Sequence, residues 1–176
     1  IGKQVAKRAQ GFGMHVIAYS PTCKPEVAKA LNVRLVDKDT LLKEADVISL
    51  HPRLTPETEN FLDEEAFNKM EKKPIIVNVS RGAMIDEAAL VKALDEGKVF
   101  GAGLDVLVEE TNENTLKSPL VGREDVVLTP HMAFYSDFSL YECQRIGAEN
   151  LCYILLGQQD KVFRMVNDVD VTRFKK

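Results

Sequence analysis

Short apolar runs alternate with amphipathic stretches along most of this chain, and this alternation constrains the fold more than any other feature. The apolar runs at 47–50, 75–79 and 99–104 are short enough for strands. Stretches between them, such as 87–96, have the apolar period of a helix. Strands separated by helices in this way indicate βα units, a parallel sheet and helices on both of its faces.

The same pattern predicts the domain organisation. Residues 1–157 form one α/β domain in this interpretation, and a polar tail over residues 158–176 leaves it. The longest irregular piece is predicted over residues 108–124, where Glu, Asn and Thr are frequent. A long helix is predicted from Ser136 to about Leu156, with Gly157 as its end.

Composition excludes several classes of protein. A formal net charge of −4 argues against a nucleic-acid partner, because phosphate binding needs clustered Lys and Arg. No apolar run is as long as a membrane span. The three cysteines have no C-x-x-C spacing and no zinc-site spacing with histidines. We therefore expect reduced thiols, a cytoplasmic location and no metal site.

Three motifs stand where predicted strands end. They are NVSRG at 78–82, GLD at 103–105 with Glu110 five residues further on, and TPH at 129–131. Because the carboxyl ends of parallel strands share one edge of a sheet, we expect these loops to lie close together. Other interpretations stay open: Arg81 can pair with Asp86, and a lone His131 is often a packed or surface residue.

The side chains of these motifs suit the reduction of a 2-oxo acid. The guanidinium of Arg81 can bind a carboxylate through two parallel hydrogen bonds. The imidazole of His131 can move a proton, and a carboxylate hydrogen-bonded to it favours the imidazolium and fixes the ring. We assign this role to Glu110 and not to its neighbour Glu109 only because Glu110 lies five residues after Asp105. The sequence has neither a G-x-S-x-G elbow nor a Walker lysine.

The three motifs, together with KQVAKRA at 3–9, Leu50-His51 and LTPETE at 54–59, resemble the D-isomer-specific 2-hydroxyacid dehydrogenase family over about residues 1–167. The resemblance implies a Rossmann-type doubly wound parallel sheet in three α/β/α layers. Gly2 stands where the third glycine of G-x-G-x-x-G falls, so we expect a domain without its first strand. Residues 158–176 then return toward a substrate domain that is mostly absent.

The resemblance also implies the site and the activity. The activity is reversible, NAD(P)-dependent hydride transfer involving a small D-2-hydroxy acid, with Arg81, Glu110 and His131 as the catalytic residues. Ser20 replaces a common Asp, which permits NADP besides NAD, and Arg53 is either a cation near the cofactor phosphates or a solvated loop charge. Cofactor contacts are implied for eight residues, namely Ile1, Gly2, Ser20, Pro52, Thr58, Val79, Ser80 and Asp105.

Two further expectations concern specificity and partners. Phe134 resembles an aromatic residue of the lactate-type branch and either limits the substrate pocket or packs in a core. The resemblance implies a homodimer. An alternative function is a cofactor-sensing binding and dimerisation module of the same fold, similar to corepressor relatives and without significant catalysis.

Overall fold

The computed structural model describes residues 1–164 and divides the chain into two compact units. The first unit is Ile1–Ala133, and the second begins at Phe134. The six strands of the described residues all lie in the first unit. The tail predicted for residues 158–176 lies outside the described residues from residue 165 onward.

Helices and strands alternate in the first unit, as the apolar runs predict. The strands are β1 (Ile17–Ala18), β2 (Arg34–Leu35), β3 (Val47–Leu50), β4 (Ile75–Asn78), β5 (Gly101–Leu104) and β6 (Val126–Leu128). The helices are α1 (Gly2–Gly11), α2 (Pro25–Ala30), α3 (Lys38–Glu44), α4 (Glu64–Asn68), α5 (Glu87–Asp95) and α6 (Asn112–Lys117), with a 3₁₀ turn at Gly82–Met84.

The strands form two parallel sheets, β1-β2 and β3-β4-β5-β6. In the larger sheet Leu50 pairs with Asn78, Asn78 with Leu104, and Leu104 with Leu128. These four residues are the last of their strands, so the strands end level with one another. The loops that follow β3, β4, β5 and β6 therefore leave from a single edge.

The strand order is that of a doubly wound sheet without its first strand. In that topology the first strand lies between β1 and β3, and these two strands are not hydrogen-bonded to each other here. The Rossmann-type α/β class that the sequence predicts is confirmed. β1 is two residues long and pairs with β2.

The core fills one face of the larger sheet. Ile48, Leu50 and Ile76 on the strands are 4% exposed or less, and they pack against α3, α4 and α5. Phe67 of α4 is 1% exposed and has the largest fully buried side chain among the described residues. Its burial stabilises the fold by about 2–3 kcal/mol. Phe67 thereby holds α4 against the larger sheet.

Aspartate side chains begin the three helices of this layer. Asp37, Asp63 and Asp86 accept hydrogen bonds from the third backbone N–H beyond them, at 2.7, 2.8 and 3.0 Å. Thr111 caps α6 in the same way at 3.3 Å. The prediction of an irregular segment over residues 108–124 was therefore wrong, because α6 lies within it and its cap was not recognised in the sequence.

The second unit contains α7 (Asp137–Leu155) and a 3₁₀ turn at Gln159–Lys161. α7 begins with a capping box between Ser136 and Ser139, and the φ of Gly157 is +70° just after its end. No helix of residues 1–164 is long and apolar enough to cross a membrane.

Candidate active site

The three motifs lie side by side at the carboxyl edge of the larger sheet. Val79, Asp105 and Thr129 directly follow the paired last residues of β4, β5 and β6. The backbone N–H of Asp105 donates to Asn78 O at 2.9 Å, and that of Thr129 donates to Leu104 O at 3.0 Å. The ladder thus continues one residue into the loops after β5 and β6, and it fixes the starting points of these two loops.

The loop that carries Arg81 is shaped by a buried amide. Asn78 is 1% exposed; its Nδ2 donates to Arg81 O at 2.9 Å and its Oδ1 accepts from Ser80 N at 3.0 Å. This side chain fixes the turn after β4. Arg81 is exposed at the sheet edge, where its Nη1 donates a hydrogen bond to Ser80 O at 2.7 Å. Asp86, the alternative partner, instead caps α5 through the N–H of Ala89.

Gly82 brings the Arg81 loop into direct contact with the loop after β5. A β-carbon at Gly82 would lie 2.0 Å from the carbonyl carbon and oxygen of Leu107 and 2.5 Å from Val108 N. Only a residue without a side chain permits this approach of two backbones. The positions of Arg81 and of residues 107–110 are therefore coupled.

Glu110 and His131 form a hydrogen-bonded pair. Glu110 Oε2 lies 2.6 Å from His131 Nδ1, and Glu110 Oε1 accepts from Leu107 N at 3.2 Å. Glu109, the competing carboxylate, bonds Asn114 instead. The two oxygens of Glu110 thus hold the imidazole and the loop backbone together.

Asp105 holds the loop that carries His131. Its carboxylate, 5% exposed, accepts hydrogen bonds from Thr129 Oγ1 at 2.5 Å and from the N–H groups of Met132 and Ala133 at 2.9 Å each. Burial acts to raise the pKa of Asp105, but these hydrogen bonds and the nearby His131 outweigh it, and the pKa is lowered. The backbone of His131 has a φ of +49°, a left-handed conformation that these contacts stabilise.

A shallow groove of about 290 Å³ crosses this edge. Its wall is apolar apart from Asp105 and Thr129, which suits the flat ring of a nicotinamide beside the His131 loop. The lining residues are Val77, Val79, Gly103, Leu104, Asp105, Val127, Thr129, Met132 and Ala133. Val79 and Asp105 of the predicted cofactor set therefore line one surface.

The predicted contacts for the rest of the dinucleotide lie at the ends of β1 and β3. A β-carbon at Gly2 would be 3.4 Å from His51 Cβ, so the start of α1 lies next to the end of β3. Burial lowers the pKa of His51. Ser80 Oγ donates to Pro52 O at 2.7 Å and joins the loops after β3 and β4.

Other predicted site residues are placed less directly. Ser20 is exposed just after β1, and the Thr58 hydroxyl donates to Arg53 O at 2.7 Å within its own exposed loop. Phe134 belongs to the second unit, where it is 60% exposed and its ring contacts Tyr135 edge-on at 6.1 Å. The cofactor roles of Ser20 and Thr58, and the pocket role of Phe134, stay predictions.

Sequence reasoning gave no role to three residues that shape the site, namely Asn78, Gly82 and Glu87. The signal for Asn78 is a lone amide at the end of an apolar strand, which favours a side chain bonded to the turn that follows. Gly82 and Glu87 act through contacts about 21 to 26 residues away along the chain, and no local pattern indicates those. Residues 1–164 contain no group of three His, Cys, Asp or Glu side chains placed for a metal ion.

Comparison with known proteins agrees with this architecture. The family model for the D-isomer specific 2-hydroxyacid dehydrogenase, NAD binding domain, matches residues 1–133. The crystal structure of D-lactate dehydrogenase from Aquifex aeolicus, complexed with NAD and lactic acid, superimposes with a TM-score of 0.84 at 31% identity. The match covers 92% of this chain and 52% of that one. A parallel α/β sheet with a cofactor groove at its carboxyl edge defines a nucleotide-binding domain, and the chain belongs to the D-isomer specific 2-hydroxyacid dehydrogenase family.

Two relatives illustrate the range of the family. Glyoxylate reductase of Thermococcus litoralis is 43% identical over 158 residues, which are 90% of this chain and 47% of that protein. Hydroxypyruvate reductase of Thermotoga maritima is 48% identical over 150 residues, which are 85% of this chain and 47% of that protein. The chain therefore spans about half the length of these curated relatives and contains the NAD-binding domain of the family.

Proposed function

We propose that the complete protein reduces a small 2-oxo acid to the D-2-hydroxy acid, reversibly and with a nicotinamide cofactor. The observation that carries the proposal is the Glu110–His131 pair, 2.6 Å apart, at the sheet edge from which Arg81 also projects. The names of the relatives, a glyoxylate reductase, a hydroxypyruvate reductase and a D-lactate dehydrogenase, agree with this substrate class.

Each side chain has one task in the proposed reaction. Arg81 binds the carboxylate of the substrate and orients the adjacent carbonyl. His131 Nε2 gives a proton to the carbonyl oxygen during reduction and takes it back during oxidation. The bound nicotinamide supplies or accepts the hydride at the substrate carbon. Glu110 fixes the ring through Nδ1 and compensates the charge of the imidazolium.

The cofactor is held, in this proposal, by the residues predicted from the sequence. The apolar groove at Val79 and Asp105 receives the nicotinamide end, and the N-terminus of α1 at Ile1 and Gly2 receives the pyrophosphate. Ser20 brings no negative charge to the exposed end of β1, so NADP is accepted besides NAD. Pro52, Thr58 and Ser80 complete the cleft.

The organisation of the complete protein is also part of the proposal. Residues 1–157 form the dinucleotide-binding part in this proposal. The enzyme is a homodimer in the cytoplasm, where Cys23, Cys143 and Cys152, all free thiols, stay reduced. Light scattering after size-exclusion chromatography measures the molar mass of the complete protein in solution and so tests whether it is a dimer.

The test is turnover of the complete protein with a panel of 2-oxo acids, including pyruvate, glyoxylate and hydroxypyruvate, each with NADH and with NADPH. We choose His131→Asn as the inactive variant because Asn tolerates the positive φ at this position. It should lower kcat at least 100-fold with cofactor affinity retained. Cofactor binding without turnover of any acid would refute the enzyme and favour the corepressor-like binding module.

Arg81→Lys separates substrate binding from proton transfer. An ammonium group cannot make the two parallel hydrogen bonds of a guanidinium, so the KM for the 2-oxo acid should rise about tenfold or more. Affinity for the reduced cofactor, measured by fluorescence titration, should stay unchanged. An unchanged KM would remove Arg81 from the proposed substrate site.

A further inference from the structure

We propose that Glu87, at the start of α5, is a positioning residue for the Glu110–His131 pair. This inference rests on the proposed function, because it assigns a residue that acts on the proton-transfer pair through the loop backbone. Glu87 Oε1 accepts a hydrogen bond from Val108 N at 2.7 Å, across 21 residues of sequence. Glu87 therefore contacts the loop that ends at Glu110, and does not contact the reacting groups themselves.

The helix that carries Glu87 is capped at its start and packed in the core. α5 begins at the Asp86 cap, and Glu87 is its first residue. Leu90 and Ala93 of the same helix are 0% and 2% exposed and belong to the core beneath the sheet. The backbone of Glu87 therefore has a fixed position relative to the sheet.

The loop between Asp105 and Glu110 is held at two successive N–H groups. The N–H of Leu107 donates to Glu110 and that of Val108 donates to Glu87, so two carboxylates fix neighbouring peptide units. Gly82 lies against the second of these units, the peptide between Leu107 and Val108. The Glu110 carboxylate reaches His131 Nδ1 only while residues 107–110 keep this backbone conformation. Glu87 is the side chain of α5 that binds this segment.

The surroundings of Glu87 make this role separable from folding. Glu87, Leu107 and Val108 line an open cleft of about 230 Å³, so the contact lies outside the hydrophobic core. Water replaces the carboxylate when the side chain is truncated, and the Val108 N–H is solvated. Removal of Glu87 should then loosen the loop while the free energy of unfolding changes little.

The experiment compares Glu87→Ala, Glu87→Gln and a matched control in the complete protein. Glu64→Ala is the control because Glu64 is also the first residue of a helix after an Asp cap, but it pairs with Lys92. For Glu87→Ala we expect kcat to fall about tenfold, since a displacement well under 1 Å already costs that much in an oriented site. The Kd for NADH, the KM for the 2-oxo acid and the melting midpoint should hardly change.

Glu87→Gln should restore kcat to within about twofold of the wild type, because its amide oxygen accepts the same hydrogen bond. Hydrogen exchange measured by mass spectrometry should be faster over residues 107–110 in Glu87→Ala, and unchanged in Glu87→Gln and Glu64→Ala.

The outcomes are distinguishable. An active wild type with unchanged kcat in Glu87→Ala overturns the positioning role and leaves the proposed function intact. The same role is overturned if Glu64→Ala lowers kcat as much, or if Glu87→Gln fails to restore it. A wild type without turnover overturns the proposed function instead, and the exchange of residues 107–110 then decides whether Glu87 holds the loop.

Discussion

Substitution of Gly82 by Ala should separate the two loops that carry Arg81 and Glu110. The new β-carbon would lie 2.0 Å from the Leu107 carbonyl carbon and oxygen, whereas such contacts under 3.0 Å are essentially never seen. The neighbours are backbone atoms of Leu107 and Val108, so no flexible side chain can turn away. One backbone must move relative to the other by about 1 Å.

The size of the effect follows from this displacement. Overpacking in a closely packed region costs about 1–3 kcal/mol, and Gly82 is buried, so we expect a loss of about 2–3 kcal/mol in the free energy of unfolding. A displacement of about 1 Å between groups that must act on one substrate lowers the rate about 100-fold. We therefore expect kcat/KM for the 2-oxo acid to fall about 100-fold.

Steady-state kinetics and urea unfolding of the complete protein measure the two quantities. Gly11→Ala is the control, because a β-carbon there meets no atom within 4 Å and the residue ends α1. The control should retain both activity and stability. Wild-type kcat/KM in folded Gly82→Ala would refute the coupling between the two loops.

Three other substitutions probe separate parts of the molecule. Asp105→Asn should lose about 2 kcal/mol of stability at pH 7, because hydrogen bonds to a charged acceptor are stronger than those to an amide. Because folding lowers the pKa of Asp105, its carboxylate stabilises the folded protein above the unfolded-state pKa near 3.9, and this stabilisation is lost as the pH falls through the lower folded-state pKa. The difference in urea midpoint between the wild type and Asp105→Asn should therefore shrink below about pH 4. Ser20→Asp should lower kcat/KM for NADPH about tenfold and spare NADH, since the new carboxylate and the additional phosphate of NADPH repel by about 1–2 kcal/mol at an exposed site. Equal loss with both cofactors would contradict the predicted role of Ser20 in accepting NADP. Phe67→Ala should cost about 3–5 kcal/mol in urea unfolding because the ring is 1% exposed, and a loss under 1 kcal/mol would show that the core repacks.

The sheet edge was predictable from the sequence because its elements are local. The bounds of β3 agree with the apolar run at 47–50, and β4 and β5 lie within the runs at 75–79 and 99–104. Asp caps mark where α3 and α4 begin. Parallel strands that end level then bring Arg81, Asp105 and His131 to one edge without further information. The family resemblance followed from the three motifs together with the segments at 3–9, 50–51 and 54–59.

The contacts of Asp105 show where sequence reasoning ends. The sequence suggests a cofactor contact, and the structure adds bonds from its carboxylate to Thr129, Met132 and Ala133. These partners lie 24 to 28 residues further along the chain. Their approach depends on the register of β5 and β6 and on the left-handed turn at His131, neither of which has a local signature.

The two oxygens of Glu110 give the site an internal spectroscopic reporter. One oxygen lies 2.6 Å from His131 Nδ1, and the other accepts the N–H of Leu107 at 3.2 Å. A change in charge on the imidazole alters how much electron density the carboxylate offers to that amide proton. The ¹H–¹⁵N cross-peak of Leu107 should therefore shift when His131 changes its protonation state, so one backbone resonance follows the proton that the proposed reaction moves.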